Sequence, residues 1–302
     1  MSWSEDTLKT LSRCSACPRR CGADRANGQI GACGAGLDFR VARAAPMFWE
    51  EPCISGERGS GAVFFCGCPV KCVFCQNSEI SNGENGKEIG FDELCETLVR
   101  LEKLGVHNLN FVTPTHYSLQ LRDVLTAVKP KIPVVWNCGG YESVETLKKL
   151  FGLVDIYLAD YKFDSGAKGL CEAEDYADVV EPAIREMFSQ VGCARLDCDG
   201  MMLSGLLLRH LVLPGRTSMS KRILERIAVL VPSDTLISLM SQYFPAGKAK
   251  EIKGLNRTLS EAEYARVSDY MLALGFSNGY FQDISSADSG FVPDFDLTGV
   301  TE

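Results

Sequence analysis

The alternation of short apolar, β-branched runs with helix-period segments, sustained from Ala62 to Leu274, constrains this chain most. Such a pattern is built from βα units, because a buried strand followed by an amphipathic helix returns across a parallel sheet. Strands are predicted at 63–65, 108–112, 133–137, 155–160, 206–213 and 235–240. The spacing predicts helices over 91–104, 119–128, 144–151, 175–188 and 220–230, the first with Phe91, Leu94, Cys95, Leu98 and Leu101 on one face. A last helix over 260–274 opens on a capping-box pattern, Ser260-Glu261-Ala262-Glu263, and stops at Gly275. Six βα units result, and a hydrophobic content of 46% in 302 residues is ample for one main domain. In barrels of such units the chemistry sits where the C-terminal ends of the strands converge. Polar residues recur at those ends: Thr113-Pro114-Thr115-His116, Asn137, Asp160-Tyr161-Lys162, Arg209 and Gln242.

The first strand runs into Cys68-x3-Cys72-x2-Cys75, within Phe64-Phe65-Cys66-Gly67-Cys68-Pro69-Val70-Lys71-Cys72-Val73-Phe74-Cys75-Gln76-Asn77. Three thiolates can hold a four-iron, four-sulfur (4Fe-4S) cluster and leave one iron open for a ligand, whereas an electron carrier normally uses four cysteines. The bland alternative is buried or zinc-binding cysteine, but zinc ribbons use pairs of C-x2-C. Cys66 lies one residue from Cys68 and reads as a strand-end core thiol. A second constellation, Cys14-x2-Cys17-x3-Cys21-x11-Cys33, offers four thiolates and hence a closed site, suited to structural zinc or a fully ligated iron–sulfur cluster. So small and polar a segment needs a staple of that kind.

These features divide the chain into a cysteine-rich metal-binding module at 1–36, a connector at 37–61, a main domain at 62–284 and a flexible polar tail at 285–302. A net charge of −8 and a pI near 5.1 argue against a phosphate-backbone footprint, so no nucleic-acid partner is expected. The polar N-terminus reads as no signal segment and no apolar run is of bilayer length, so the expectation is a cytoplasmic protein without a membrane partner. In such a setting fourteen cysteines point to metal or cluster binding rather than disulfides.

From Trp49 to Gly247 the chain resembles the radical S-adenosylmethionine (SAM) proteins related to pyruvate formate-lyase activating enzyme, specifically their activating-enzyme-like subgroup. The resemblance is carried by the triad with Phe74 before its last cysteine and by six further strings in order. They are Trp49-Glu50-Glu51-Pro52-Cys53-Ile54-Ser55-Gly56, Asn110 to Tyr117, Val135-Trp136-Asn137 with Gly140-Tyr141-Glu142, Asp155 to Asp160, Arg209 to Gly215, and Met240-Ser241-Gln242-Tyr243. It implies a partial (β/α)6 TIM-like barrel of the radical SAM type. It implies reductive cleavage of SAM at a 4Fe-4S cluster on Cys68, Cys72 and Cys75 to a 5'-deoxyadenosyl radical, which abstracts hydrogen from a substrate. It implies Asn137, Asp160 and Lys162 as contacts to SAM's polar groups, with Arg209 beside them. An electron donor such as flavodoxin or ferredoxin and a glycyl radical enzyme are the implied partners.

The family's Gly-Gly-Glu motif for the SAM amino group is absent, and Thr113 and Thr115 stand at that strand end instead, offering hydroxyl or carbonyl oxygens. His116 reads equally as a proton carrier or a satisfied polar side chain, and Cys138 as a small buried thiol. Within the enzyme class the alternative substrate is a small molecule or peptide. A two-cluster electron-transfer protein and a zinc-stapled scaffold are the readings from other classes.

Overall fold

The computed structural model describes residues 2–165 and 168–300. Its strands are β1 (Phe39–Met47), β2 (Ser60–Phe65), β3 (Lys87–Ile89), β4 (Leu109–Val112), β5 (Val134–Cys138), β6 (Ile156–Asp160), β7 (Arg195–Leu196), β8 (Met202–Leu211), β9 (Leu236–Met240) and β10 (Gly279–Phe281). Its helices are α1 (Glu5–Leu11), α2 (Pro52–Ser55), α3 (Ser78–Ser81), α4 (Phe91–Lys103), α5 (Ser118–Val128), α6 (Val144–Lys149), α7 (Tyr176–Val191), α8 (Thr217–Leu230) and α9 (Glu261–Ala273). The main sheet runs β10-β9-β8-β6-β5-β4-β2-β1-β3, with β7 pairing β8 off this path. Neighbours from β2 to β10 are parallel, while β1 pairs antiparallel with β2 and with β3. The chain is thus α/β with a mixed, largely parallel sheet that does not close on itself.

Every residue of β2, β4, β5, β6 and β9 is buried, which explains why they read as predominantly apolar runs. The parallel strands follow chain order without reversal, so successive right-handed crossovers lay their helices on one face. That face is the main core, where Val63, Phe111, Trp136, Tyr157, Leu208 and Leu239 meet Leu94, Leu98, Leu121, Val180 and Ile223 from the helices. The opposite face buries Val135, Ile156, Leu158 and Leu207 with Ile54, and Ala62, Phe64 and Val112 with Met47. Side chains alternate between faces every residue, so Asn137, Asp160 and Arg209 share this second face with Val135, Leu158 and Leu207. Helix α9 begins as its sequence signals, with Ser260 accepting from the Glu263 backbone N–H and Glu263 accepting in return.

The structure departs from the sequence reading in three places. Residues 39–47 of the expected connector form the nine-residue β1, hydrogen-bonded into the main sheet. A seventh parallel strand, β10, adds beyond the six expected; at three residues it is too short to show a period. The expected flexible tail lies, as far as residue 300, along β1: Leu297 N–H donates to Ala42 O at 3.0 Å, Ala44 N–H to Thr298 O at 2.9 Å, and Phe295 meets Phe64 edge to face. Those backbone bonds occupy β1 groups that a short strand pair leaves free, and no composition signal announces them. Among the described residues no helix is long and apolar enough to cross a membrane.

Candidate functional site

At the C-terminal ends of the parallel strands lies a cleft of about 210 Å³. A single water needs roughly 10–15 Å³, so the cleft is large enough for a ligand and is no packing defect. Cys68, Cys72, Cys75, Thr113, Thr115, Asn137, Asp160, Lys162 and Arg209 all line it. They come from five separate strand ends, and the sheet register explains their meeting: Asp160 stands opposite Arg209, and Asn137 opposite Leu158. Phe64, Val112, Leu211 and Met240 supply the apolar lining.

Asn137, Asp160, Lys162 and Arg209 form one polar network. Arg209 donates from Nε to Asp160 Oδ1 at 2.7 Å, from Nη1 to Glu50 Oε2 at 3.0 Å and from Nη2 to Asn137 Oδ1 at 2.6 Å. Asn137 Nδ2 donates to Glu50 Oε1 at 2.8 Å, and Lys162 Nζ donates to Asp160 Oδ2. Burial alone would raise the Asp160 carboxyl, but the Arg209 and Lys162 cations outweigh it and hold Asp160 below its usual range. Burial works against the Lys162 ammonium, yet Asp160 and Cys72 keep it above its ordinary value. Glu50 is pushed up by burial, opposed by Arg209 and reinforced by Glu51 and Asp160. Glu51 Oε2 is buried without a hydrogen-bond partner, 3.8 Å from Arg209 Nη1.

The three cleft thiols are all desolvated. Burial raises Cys68, raises Cys72 well above its normal range and takes Cys75 to about 11, with Lys162 pulling the other way at each. They are therefore thiols at neutral pH until a metal takes their protons. Among the described residues no three Cys, His, Asp or Glu side chains close on a single metal ion, at the triad or at Cys14, Cys17, Cys21 and Cys33. Thr113 holds φ +60°, a conformation that a β-branched residue rarely adopts. The hydroxyl of Thr115 donates to Glu142, whose carboxyl burial pushes up to about 7.

Three acidic residues escaped the sequence reading of the site: Glu50, Glu51 and Glu142. Each lies inside a string that carries the resemblance, but Glu50 meets Arg209 across 159 positions, a pairing that no local pattern encodes. His116 is fully buried with Nε2 against Cys66 O at 2.8 Å, and burial drops it to about 3, so it is a neutral structural group. Cys138 is buried, though it reaches the cleft wall, and Cys66 is fully buried as a core thiol. Phe291, Val292 and Pro293 of the C-terminal segment also line the cleft, and Phe291 meets Trp49 edge to face at the rim.

An uncharacterised protein of Methanocaldococcus jannaschii is 31% identical over 217 residues, covering 68% of this chain and 59% of that relative. The chain thus spans less than two thirds of the length of the relative it matches. No protein-family model matches the chain.

Proposed function

We propose that the cleft is a radical SAM site in which Cys68, Cys72 and Cys75 hold a 4Fe-4S cluster and the strand-end network holds SAM beside it. The observation that carries this reading is the gathering of the nine residues expected to hold the cluster and SAM, from five strand ends, around one cleft. A cluster binds each thiolate at a different iron, so its three sulfurs need not close on one point. When bound, the cluster supplies the electron that cleaves SAM to a 5'-deoxyadenosyl radical.

The charge balance of the network fits such a ligand. Three acidic side chains, Glu50, Glu51 and Asp160, face two cations, Lys162 and Arg209, so acidic groups outnumber cations in a largely desolvated place. SAM brings a sulfonium and an amino group that offset the excess, and a carboxylate that the Lys162 ammonium neutralises. Asp160 stays ionised, and Asn137 is fixed in orientation because its oxygen accepts from Arg209 and its nitrogen donates to Glu50. Thr113 offers a hydroxyl at the end of the neighbouring strand β4, and Phe64, Val112, Leu211 and Met240 give the cleft an apolar wall. The resemblance favours a glycyl radical enzyme as the substrate and a flavodoxin- or ferredoxin-type protein as the electron donor. The test is anaerobic reconstitution with iron and sulfide, reduction, and assay for 5'-deoxyadenosine from SAM. A reconstituted cluster whose electron paramagnetic resonance (EPR) spectrum ignores saturating SAM, with no 5'-deoxyadenosine formed, would sink the reading.

A further inference from the structure

The sheet stays open, with β10 at one edge and β1, paired with the short β3, at the other, and the C-terminal chain crosses from the first to the second. Both ends of the crossing are fastened. At the β10 side Ser241 Oγ donates to Asp283 O at 2.7 Å. At the β1 side Arg43 Nη1 donates to Asp294 O at 3.3 Å and to Asp296 Oδ1 at 3.1 Å, Phe295 packs on Phe64, and the backbone bonds of Leu297 and Thr298 to β1 follow. Between the fastenings, among the described residues, the hydrogen bonds of 284–293 stay within the segment or reach back to Asp283.

This loosely held stretch stands at the cleft mouth. Phe291, Val292 and Pro293 line the cleft, and the Phe291 and Trp49 rings meet with centroids 6.3 Å apart. Trp49 is 53% exposed and Phe291 44%, so parting the two rings uncovers little further apolar surface. A second cavity of about 520 Å³ adjoins the cleft, and Met47, Trp49, Val292 and Pro293 line both. One layer of side chains therefore divides the cleft from a space into which the segment has room to move. The cysteine loop on another wall is clamped instead: Val73 N–H donates to Leu170 O and Glu172 N–H to Val70 O, both at 2.9 Å, and Ala249 N–H donates to Val73 O at 3.0 Å. Local opening starts where such bonds are missing.

We propose that residues 284–293 form a gate over the cleft, hinged at Asp283 and Asp294 and latched by Phe291 on Trp49. In the closed position described above it shields the cleft thiols and slows exchange between the cleft and water. Open, it swings into the adjoining cavity and admits a ligand, while the tethers at Asp283 and along β1 hold. A gate of this kind suits a cleft whose contents must be kept from solvent during reaction. Its effect on SAM rests on the radical SAM reading of the cleft, whereas the gate itself rests on the geometry of the segment.

The experiment compares the full chain with its Phe291→Ala and Phe291→Tyr variants. Before reconstitution, mass spectrometry follows the initial rate at which dithiodipyridine, a bulky aromatic disulfide, modifies Cys68, Cys72 and Cys75, with the buried Cys14, Cys17 and Cys33 outside the cleft as internal controls. Phe291→Ala should speed the cleft thiols on the order of three- to tenfold, the worth of one aromatic pair, and leave the controls unchanged. Phe291→Tyr keeps the ring and should hold the wild-type rate. Phe291→Leu gives the same comparison as the alanine variant should that one not fold. After anaerobic reconstitution, the association and dissociation rates of SAM should rise together in Phe291→Ala with the equilibrium affinity nearly unchanged, because a gate alters a barrier and not the bound state. Unchanged thiol rates overturn the gate, as does an equal rise at the control cysteines, which means general loosening. A loss of affinity at an unchanged association rate overturns it too, by making Phe291 a contact of the ligand. If no form binds SAM, the radical SAM reading falls, and the thiol rates still decide the gate.

Discussion

Cys68, Cys72 and Cys75 stand half-buried around a cleft, whereas Cys14, Cys17 and Cys33 are buried in a segment that reaches no cleft wall. Around the first set the polar side chains come from distant strand ends, carry several charges and face open space. Around the second, one cation, Arg25, is spent on backbone oxygens and a thiol. The same residue type thus sits in two opposite settings: one opens on a cleft, and the other is packed within a loop. The difference teaches that ligand access is set by where the supporting side chains come from. Strand ends that diverge leave a cleft. A loop folded on itself by local backbone bonds, such as Cys14 N–H to Ala23 O and Gly22 N–H to Cys14 O, leaves none.

The sharpest way to break this comparison is Cys72→Ala. It should abolish 5'-deoxyadenosine formation and remove the cleft cluster, while hydrogen-exchange protection of residues 14–36 stays as in wild type. Loss of protection there would mean that the two regions fold as one unit.

Gly67→Ala attacks the junction between them, because the added Cβ meets Cys33 O at 2.5 Å in a left-handed backbone conformation. Chemical denaturation should show a loss of roughly 3 kcal/mol. An unchanged midpoint would show that the loops do not need this approach.

Glu142 sharpens the contrast through pH. Burial raises its carboxyl to about 7 from an ordinary value near 4.5, so the folded state holds a proton that the unfolded chain has lost between those values. Its stabilising effect is full below about 4.5 and is lost as pH rises through about 7. Glu142→Gln should flatten the stability profile across that window by on the order of 2 kcal/mol, read from denaturation midpoints at pH 5 and pH 8. A variant as pH-sensitive as wild type would place the titration elsewhere.

The mildest change is Lys162→Ala, which takes one cation from a network that keeps Arg209. It should weaken SAM binding by about tenfold in anaerobic equilibrium dialysis while the melting temperature holds. Wild-type affinity, or a variant that does not fold, would remove Lys162 from the ligand's surroundings.

The strands were legible because a buried parallel strand needs an apolar run, and Leu109–Val112, Val134–Cys138, Ile156–Asp160 and Leu236–Met240 carry one within about a residue of the expected bounds. Helices α4 and α9 were legible from one-sided periodicity and a capping box. Strand β1 was only half visible. Its Arg40, Arg43 and Pro46 interrupt the apolar pattern, and its pairing with β2 and β3 depends on partners that local sequence does not name. The cysteine triad and the strand-end polar residues announced the cleft, but Glu50 and Arg25 did not announce their roles. A lone charged residue in a loop looks solvated until the fold buries it.

By itself the sequence determined the order of βα units, the two cysteine groups and the positions at which polar residues would meet, since these follow from local periodicity and spacing. Tertiary structure alone decided that the sheet stays open, that the C-terminal segment reaches the cleft rim, that Glu50 and Asp160 share Arg209, and that Cys33 touches the Cys68 backbone. Each of these joins residues far apart in the chain. Burial and hydrogen bonding between such residues exist only once the sheet has brought its strand ends together.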